Sequence, residues 1–254
     1  MCHEPTARPP FPPISGGAGI ADRQDQVLEA SDGNRFMAFT ARTTEPDAPG
    51  IVILPDVRGL HPFYRDLAER FAQAGVHATA LDYFGRTAGT GERGEDFDHS
   101  PHVERTHPDT VALDVGATVA HVRSEASGGT ERVFTVGFCF GGRHSFNQAA
   151  RGHGLAGVIG FYGPPHRRDD EGDAPIDLAP RYRCPVLGLW GTADRATPVE
   201  QVHAFRQALD HAGVPNEIAL YEGAPHSFFD RVYDRWREAC DDAWRRVLRF
   251  VEVG

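Results

Sequence analysis

Three residues of complementary chemistry, Cys139, Asp194 and His226, each stand just after a short apolar run in this 254-residue chain. Cys139 lies in residues 132–142, RVFTVGFCFGG, where a β-rich run meets Gly137-Phe138-Cys139-Phe140-Gly141-Gly142. A G-x-nucleophile-x-G spacing puts its central residue on a sharp strand-to-helix turn. There a Cβ at Gly137 or Gly141 would collide with a neighbouring strand or helix. The start of a helix favours a thiolate through its dipole and its unused N–H groups. Asp194 follows the run 185–190, in Gly191-Thr192-Ala193-Asp194, and His226 follows the run 217–221, in Gly223-Ala224-Pro225-His226-Ser227-Phe228. A sulfur nucleophile attacking a carbonyl needs a base to take its proton and a carboxylate to hold the imidazole tautomer. Taken singly, Cys139 also reads as a buried thiol in a Gly-rich turn, Asp194 as a helix N-cap and His226 as a loop histidine. Their agreement in order (nucleophile, acid, histidine) and in place (the carboxyl end of a strand) decides for a nucleophilic triad.

The elements that must position them follow from hydrophobic patterning. Residues 51–54, 76–81, 132–136, 157–161, 185–190 and 217–221 are apolar throughout, which suits strands covered on both faces. Helical stretches at 63–74, 109–126, 143–151, 199–212 and 232–251 alternate with them. Gly75 and Gly213 stand at the C′ positions of the first and fourth. Residues 26–30 and 35–40 flank Ser31-Asp32-Gly33-Asn34 and read as an antiparallel hairpin. The fold class is therefore α/β, a mostly parallel, doubly wound sheet with an antiparallel N-terminal hairpin. Residues 1–22 are rich in Pro and Gly and read as an arm, mobile or lying on the surface, and residues 23–254 as a single domain. Two long polar segments, 85–108 and 163–181, follow predicted strands and should project from the edge where ligands bind in such sheets.

VILPDVRG, LDYFGR, GFCFGG, FYG, GTAD…TP and GAPHSF together resemble the dienelactone hydrolase family of the α/β-hydrolase superfamily. The resemblance runs from about Gln26 to the C-terminus, and GFCFGG with a downstream PHSF is its most specific part. It implies the α/β-hydrolase fold, no cofactor, and hydrolysis of a lactone or enol ester (carboxymethylenebutenolidase-type chemistry) through an acyl-enzyme. Cys139 would attack, His226 would take and return the proton, and Asp194 would orient the imidazole. The backbone N–H groups of Phe140 and Val57 would bind the oxyanion. Asp56 falls where the family carries a glutamate that gates the nucleophile; bracing its loop is the other role open to it. Arg86 matches one of the arginines that grip a substrate carboxylate. At the second such place stands Asp230, with Arg231 one residue late, and Arg143 or Arg58 are the candidates to compensate. Tyr162 matches a tyrosine that lines the pocket. The alternatives are a general carboxylesterase or thioesterase on the same triad, or a non-catalytic α/β-hydrolase that binds a small ligand.

Composition narrows the remaining classes. All 26 basic residues are arginine, so no lysine can form a Schiff base or reach a phosphate from a Walker loop. Basic minus acidic residues give 26 − 36 = −10, which argues against nucleic acid or an anionic membrane as a partner. The expected partner is a small ester or lactone, with the chain a monomer or homodimer. Cys2, Cys139, Cys184 and Cys240 are scattered and read as reduced thiols, and no stretch resembles a signal peptide, so the expected compartment is the cytoplasm. His99, His102, Glu104 and His107, and the acidic stretch 169–177, read as solvated loops, with no metal expected.

Overall fold

The hairpin closes where Asp-Gly allows it. Strands β1 (Ile20–Glu29) and β2 (Arg35–Thr43) pair antiparallel up to Glu29 opposite Arg35, and Gly33 takes a φ of 82° in the turn. In the computed structural model, which describes residues 7–94, 96–166, 174–230 and 232–253, six further strands follow. They are β3 (Gly50–Leu54), β4 (His77–Leu81), β5 (Val133–Phe138), β6 (Gly157–Phe161), β7 (Val186–Gly191) and β8 (Asn216–Tyr221). The sheet runs β1-β2-β4-β3-β5-β6-β7-β8, with β4 to β8 mutually parallel and β2 antiparallel to β4. This is the α/β-hydrolase arrangement, as expected. Strands β3 to β7 are buried at every residue, because helices cover both faces.

The helices are α1 (Pro62–Gln73), α2 (Gly85–Ala88), α3 (Ser100–Val103), α4 (Pro108–Arg123), α5 (Phe140–Gln148), α6 (Pro175–Leu178), α7 (Val199–His211) and α8 (Arg237–Val253). Alternation along β3 shows the two faces: Ile51 and Ile53 pack in the cluster of α1, Val52 and Leu54 in that of α4. Helix α1 starts at Pro62, with His61 Nδ1 accepting from the Phe63 N–H at 3.2 Å, and ends at Gly75, whose φ is 85°.

The structure departs from the sequence reading in several places, among them the start of the last helix, at Arg237 instead of residue 232. Strand β1 begins at Ile20, six residues before the predicted start, because Asp22 to Asp25 are solvent-facing residues of an edge strand and carry no apolar signal. Helix α5 begins at Phe140 rather than Arg143, since the glycines that depress helix propensity there are required by packing. The long segment after β4 holds the short helices α2 and α3. Buried Arg93 fastens it, reaching Asp82 at 2.9 Å, the Gly91 carbonyl at 2.8 Å and that of Gly89 at 2.5 Å.

The described part of the Pro-rich arm lies across the α1–α8 surface. Pro9 and Pro10 are buried, and the Pro10 carbonyl accepts from Trp244 Nε1 at 3.1 Å. Phe11 lies under the Arg70 guanidinium at 3.6 Å, and Arg8 pairs with Asp66 at 2.6 Å. Deleting residues 1–13 should therefore expose the Trp244 indole and lower stability by about 1–3 kcal/mol. Urea titration should show the lower midpoint, and native-state tryptophan emission should shift to the red.

Candidate active site

The loops that carry Cys139, Asp194 and His226 leave the sheet at the carboxyl ends of β5, β7 and β8, three strands of one parallel run. At Cys139 the backbone adopts φ 53° and ψ −113°, in the left-handed region that a residue with a side chain occupies only when its surroundings hold it. The Cys139 N–H donates to the Phe161 carbonyl at 3.0 Å, and its own carbonyl accepts from the Arg143 N–H at 3.2 Å. An added Cβ at Gly137 would stand 2.0 Å from the Gly141 carbonyl oxygen, and one at Gly141 would stand 2.1 Å from that of Leu54. The first turn of α5 thus lies directly on the ends of β3 and β5. Ser145 holds the rest of the helix down, its Oγ 2.8 Å from both the Ile159 carbonyl and Thr135 Oγ1.

Asp194 divides its carboxylate between its own loop and the histidine. Oδ1 accepts from the Ala196 N–H at 2.8 Å and the Thr197 N–H at 3.2 Å, while Oδ2 lies 2.7 Å from His226 Nδ1. The Asp194 side chain is fully buried and that of His226 is 13% exposed, so the carboxylate is fixed while the ring keeps an open edge. An Nδ1–H held by a carboxylate turns Nε2 into the proton acceptor. Tyr162 packs its ring 5.0 Å from the His226 ring and takes a φ of 41° directly after β6.

The loop after β3 brings the second backbone donor. There the Asp56 N–H donates to Tyr64 Oη at 2.9 Å and the Arg58 N–H to Asp56 Oδ1 at 2.9 Å. The intervening Val57 N–H meets no protein acceptor among the described residues. Phe140 opens α5, so its N–H has no intrahelical partner.

Beneath this loop lies a buried charge cluster that no sequence pattern marks. The Arg58 guanidinium donates to both oxygens of Asp56, at 3.0 Å and 2.8 Å, and also to Asp230, four residues beyond His226. All three side chains are 5% exposed or less, and Arg58 sits over the rings of Phe63 and Tyr64 at 5.2 and 5.5 Å. Asp230 thereby shares the Arg58 guanidinium with Asp56. No local pattern announces a pair separated by 172 positions in the sequence.

The structure gathers the other arginines elsewhere. Arg86 turns to the hairpin and α4, bonding Asp32 at 2.5 Å and Asp114 at 2.8 Å. Arg143 is buried and donates to the carbonyls of Pro164 and His166, at 3.4 and 2.5 Å, which anchors the segment after β6. Arg231 lies outside the described residues, as do residues 169–173 of the acidic stretch. His102 stacks on Phe97 and meets Thr87 Oγ1 at 2.9 Å, and His107 caps α4, so both serve the loop that carries them. Among the described residues no helix is long and apolar enough to cross a membrane.

The sequence profile of the Dienelactone hydrolase family matches residues 36–253. A protein of Escherichia coli O157:H7 named "Putative carboxymethylenebutenolidase" is 30% identical over 230 residues, 87% of this chain and 84% of its own. A Bradyrhizobium protein named "Probable 2-oxo-3-(5-oxofuran-2-ylidene)propanoate lactonase" is 25% identical over 236 residues, 89% of this chain and 93% of its own. The crystal structure of a "Putative Dienelactone Hydrolase" from Klebsiella pneumoniae subsp. pneumoniae MGH 78578 superposes with a TM-score of 0.80. Its identity is 27%, over 92% of this chain and 99% of its own.

The buried charge cluster makes a test of its own. Arg58→Met takes the buried guanidinium away from two carboxylates and should cost about 3–5 kcal/mol, whereas adding Asp56→Asn and Asp230→Asn to it should restore most of that loss. Chemical denaturation of the single and triple variants measures both.

Proposed function

The chain belongs to the dienelactone hydrolase family, and on that footing we propose that it hydrolyses an uncharged lactone or enol ester with Cys139 as nucleophile. The observation that carries this reading is the 2.7 Å bond from Asp194 to His226 Nδ1, at the sheet edge where Cys139 is held in its left-handed turn. His226 Nε2 takes the thiol proton as the sulfur attacks the carbonyl carbon. Negative charge gathers on the former carbonyl oxygen, where the Phe140 and Val57 N–H groups receive it; losing one such donor typically costs about 3–4 kcal/mol of barrier. Collapse of the tetrahedral species breaks the bond to the ring or leaving oxygen, which takes the proton from His226. Water, deprotonated by His226, then attacks the thioester, and Cys139 leaves as the thiol while the carboxylic acid departs.

The charge of the substrate follows from where the cations point. Among the described residues Arg58, Arg86 and Arg143 all direct guanidinium N–H groups at protein acceptors. An anionic substrate would compete with those carboxylates and carbonyls for the described arginines, which favours an uncharged one. The lactonase named among the relatives supports a cyclic ester, although the substrate in its name is itself a carboxylate. Asp56, with both oxygens on Arg58, is read as the brace of the oxyanion loop.

Cys139→Ala should reduce hydrolysis of a small ester and lactone panel by about 10³-fold or more, with little change in thermal stability. In the wild type, Cys139 should be alkylated by iodoacetamide well before Cys184 and Cys240, whose thiols burial pushes up to about 12. Mass spectrometry finding Cys139 the slowest of the three, or activity persisting in the alanine variant, removes the nucleophile from the scheme.

A brace and a gate respond differently to Asp56→Asn. Bracing predicts that the pH profile of iodoacetamide inactivation overlays that of the wild type while kcat falls about ten- to a hundredfold. Faster inactivation at neutral pH is the signature of a carboxylate that had been holding the thiol protonated.

A further inference from the structure

A cavity of about 220 Å³ lies beside α5, lined by residues 103–108 and by Phe140, Arg143 and His144 of that helix. Residues 140, 143 and 144 share one face of the helix that begins directly after Cys139. Val103, Pro108 and the Phe140 ring supply apolar wall.

His144 gives the cavity its chemical character. It is 2% exposed, and neither of its ring nitrogens has a hydrogen-bond partner among the described residues. Its ring meets Phe140 edge to face at 4.5 Å, with Tyr83 at 6.1 Å. Burial first, then the positive charges of Arg143 and Arg151 and nearby His107, push its pKa down to about 3. The imidazole is neutral, offering one N–H and one bare nitrogen. Leaving such a group buried and unpaired is costly, and a ligand toward which the ring turns to bond removes that cost. Behind it on the same helix face, Asn147 is fully buried with neither amide atom paired, so the polar strip continues inward.

We propose that this cavity is a subsite for an uncharged, ring-sized group bearing a hydroxyl, and that this group is part of the substrate. A hydroxyl donates to a bare nitrogen or accepts from an N–H, so it satisfies either tautomer of His144. An ammonium group would face the positive charges of Arg143 and Arg151. The volume equals about seven waters at about 30 Å³ each, enough for a six-membered ring with one substituent. The edge-to-face packing of Phe140 suits a flat ring. The ligand chemistry stands on the cavity alone, and the assignment to the substrate rests on Cys139 being the nucleophile.

Phenol and toluene are the probes. In Cys139→Ala protein with 15N-labelled histidine, phenol should shift the His144 ring resonances and bind about tenfold more tightly than toluene. His144→Leu should abolish that preference, and His144→Gln, which keeps a donor and an acceptor, should retain part of it; circular dichroism confirms that both fold. Equal affinity for the two probes, or a preference unmoved by His144→Leu, overturns the subsite. With the thiol intact, phenol should raise KM for ester hydrolysis and leave kcat unchanged, and inhibition that lowers kcat alone overturns the assignment to the substrate. Because the binding measurements use protein lacking the thiol, a failure of the Cys139 mechanism leaves their result standing.

Discussion

Backbone meets backbone where α5 touches the ends of β3 and β5, and there is no room for even one methyl group between them. Gly137 faces the Gly141 carbonyl and Gly141 faces that of Leu54, each at a distance no real Cβ tolerates. This contact forces Cys139 into its left-handed turn, lifts its side chain off the sheet and brings the start of the helix beside the loop that holds Val57. Strand register does the rest. With Leu54 opposite Gly137 and Phe138 opposite Phe161, the loops after β3, β5 and β6 emerge level with one another. The site is assembled by sheet geometry, and its side chains only complete it.

A second layer of constraint is electrostatic. Arg58 belongs to the loop of one proposed oxyanion donor, and Asp230 to the loop of the histidine, so their buried pair joins two loops that share no strand pairing. Such a cluster adds little net stability, because the desolvation of three charges offsets much of their attraction. What it contributes is placement: Arg58 can satisfy both acids in one arrangement, and that arrangement sets the spacing between the loops. The same bonds commit Nε and Nη2 of the guanidinium to protein carboxylates.

The sequence made the sheet legible because strands buried on both faces are continuously apolar, and the predicted bounds of β6 agree with the structure to the residue. The three chemical residues were legible because each had to stand at a strand end, and Asp194 and His226 do meet. Where reading from sequence alone fell short, the reasons are physical. The start of β1 was hidden because an edge strand in solvent needs no apolar face. The destination of Arg86 was hidden because Asp32 and Asp114, its partners, lie on elements whose packing no local pattern records. His144 gave no signal at all, since a histidine in a helix looks the same whether it faces solvent or a closed cavity.

The bond from Trp244 to the Pro10 carbonyl spans 234 positions, and the same indole packs against Phe71 of α1 at 4.8 Å. During synthesis the N-terminal arm and α1 emerge long before α8 exists, so the part of this face that α8 covers stays open until that helix is made. Contacts between chain ends bear the full entropy of closing the largest loops and form late. The nascent chain therefore passes through a stage with its hairpin and central strands in place and an apolar flank open. That stage is when it is most prone to associate with other unfinished chains.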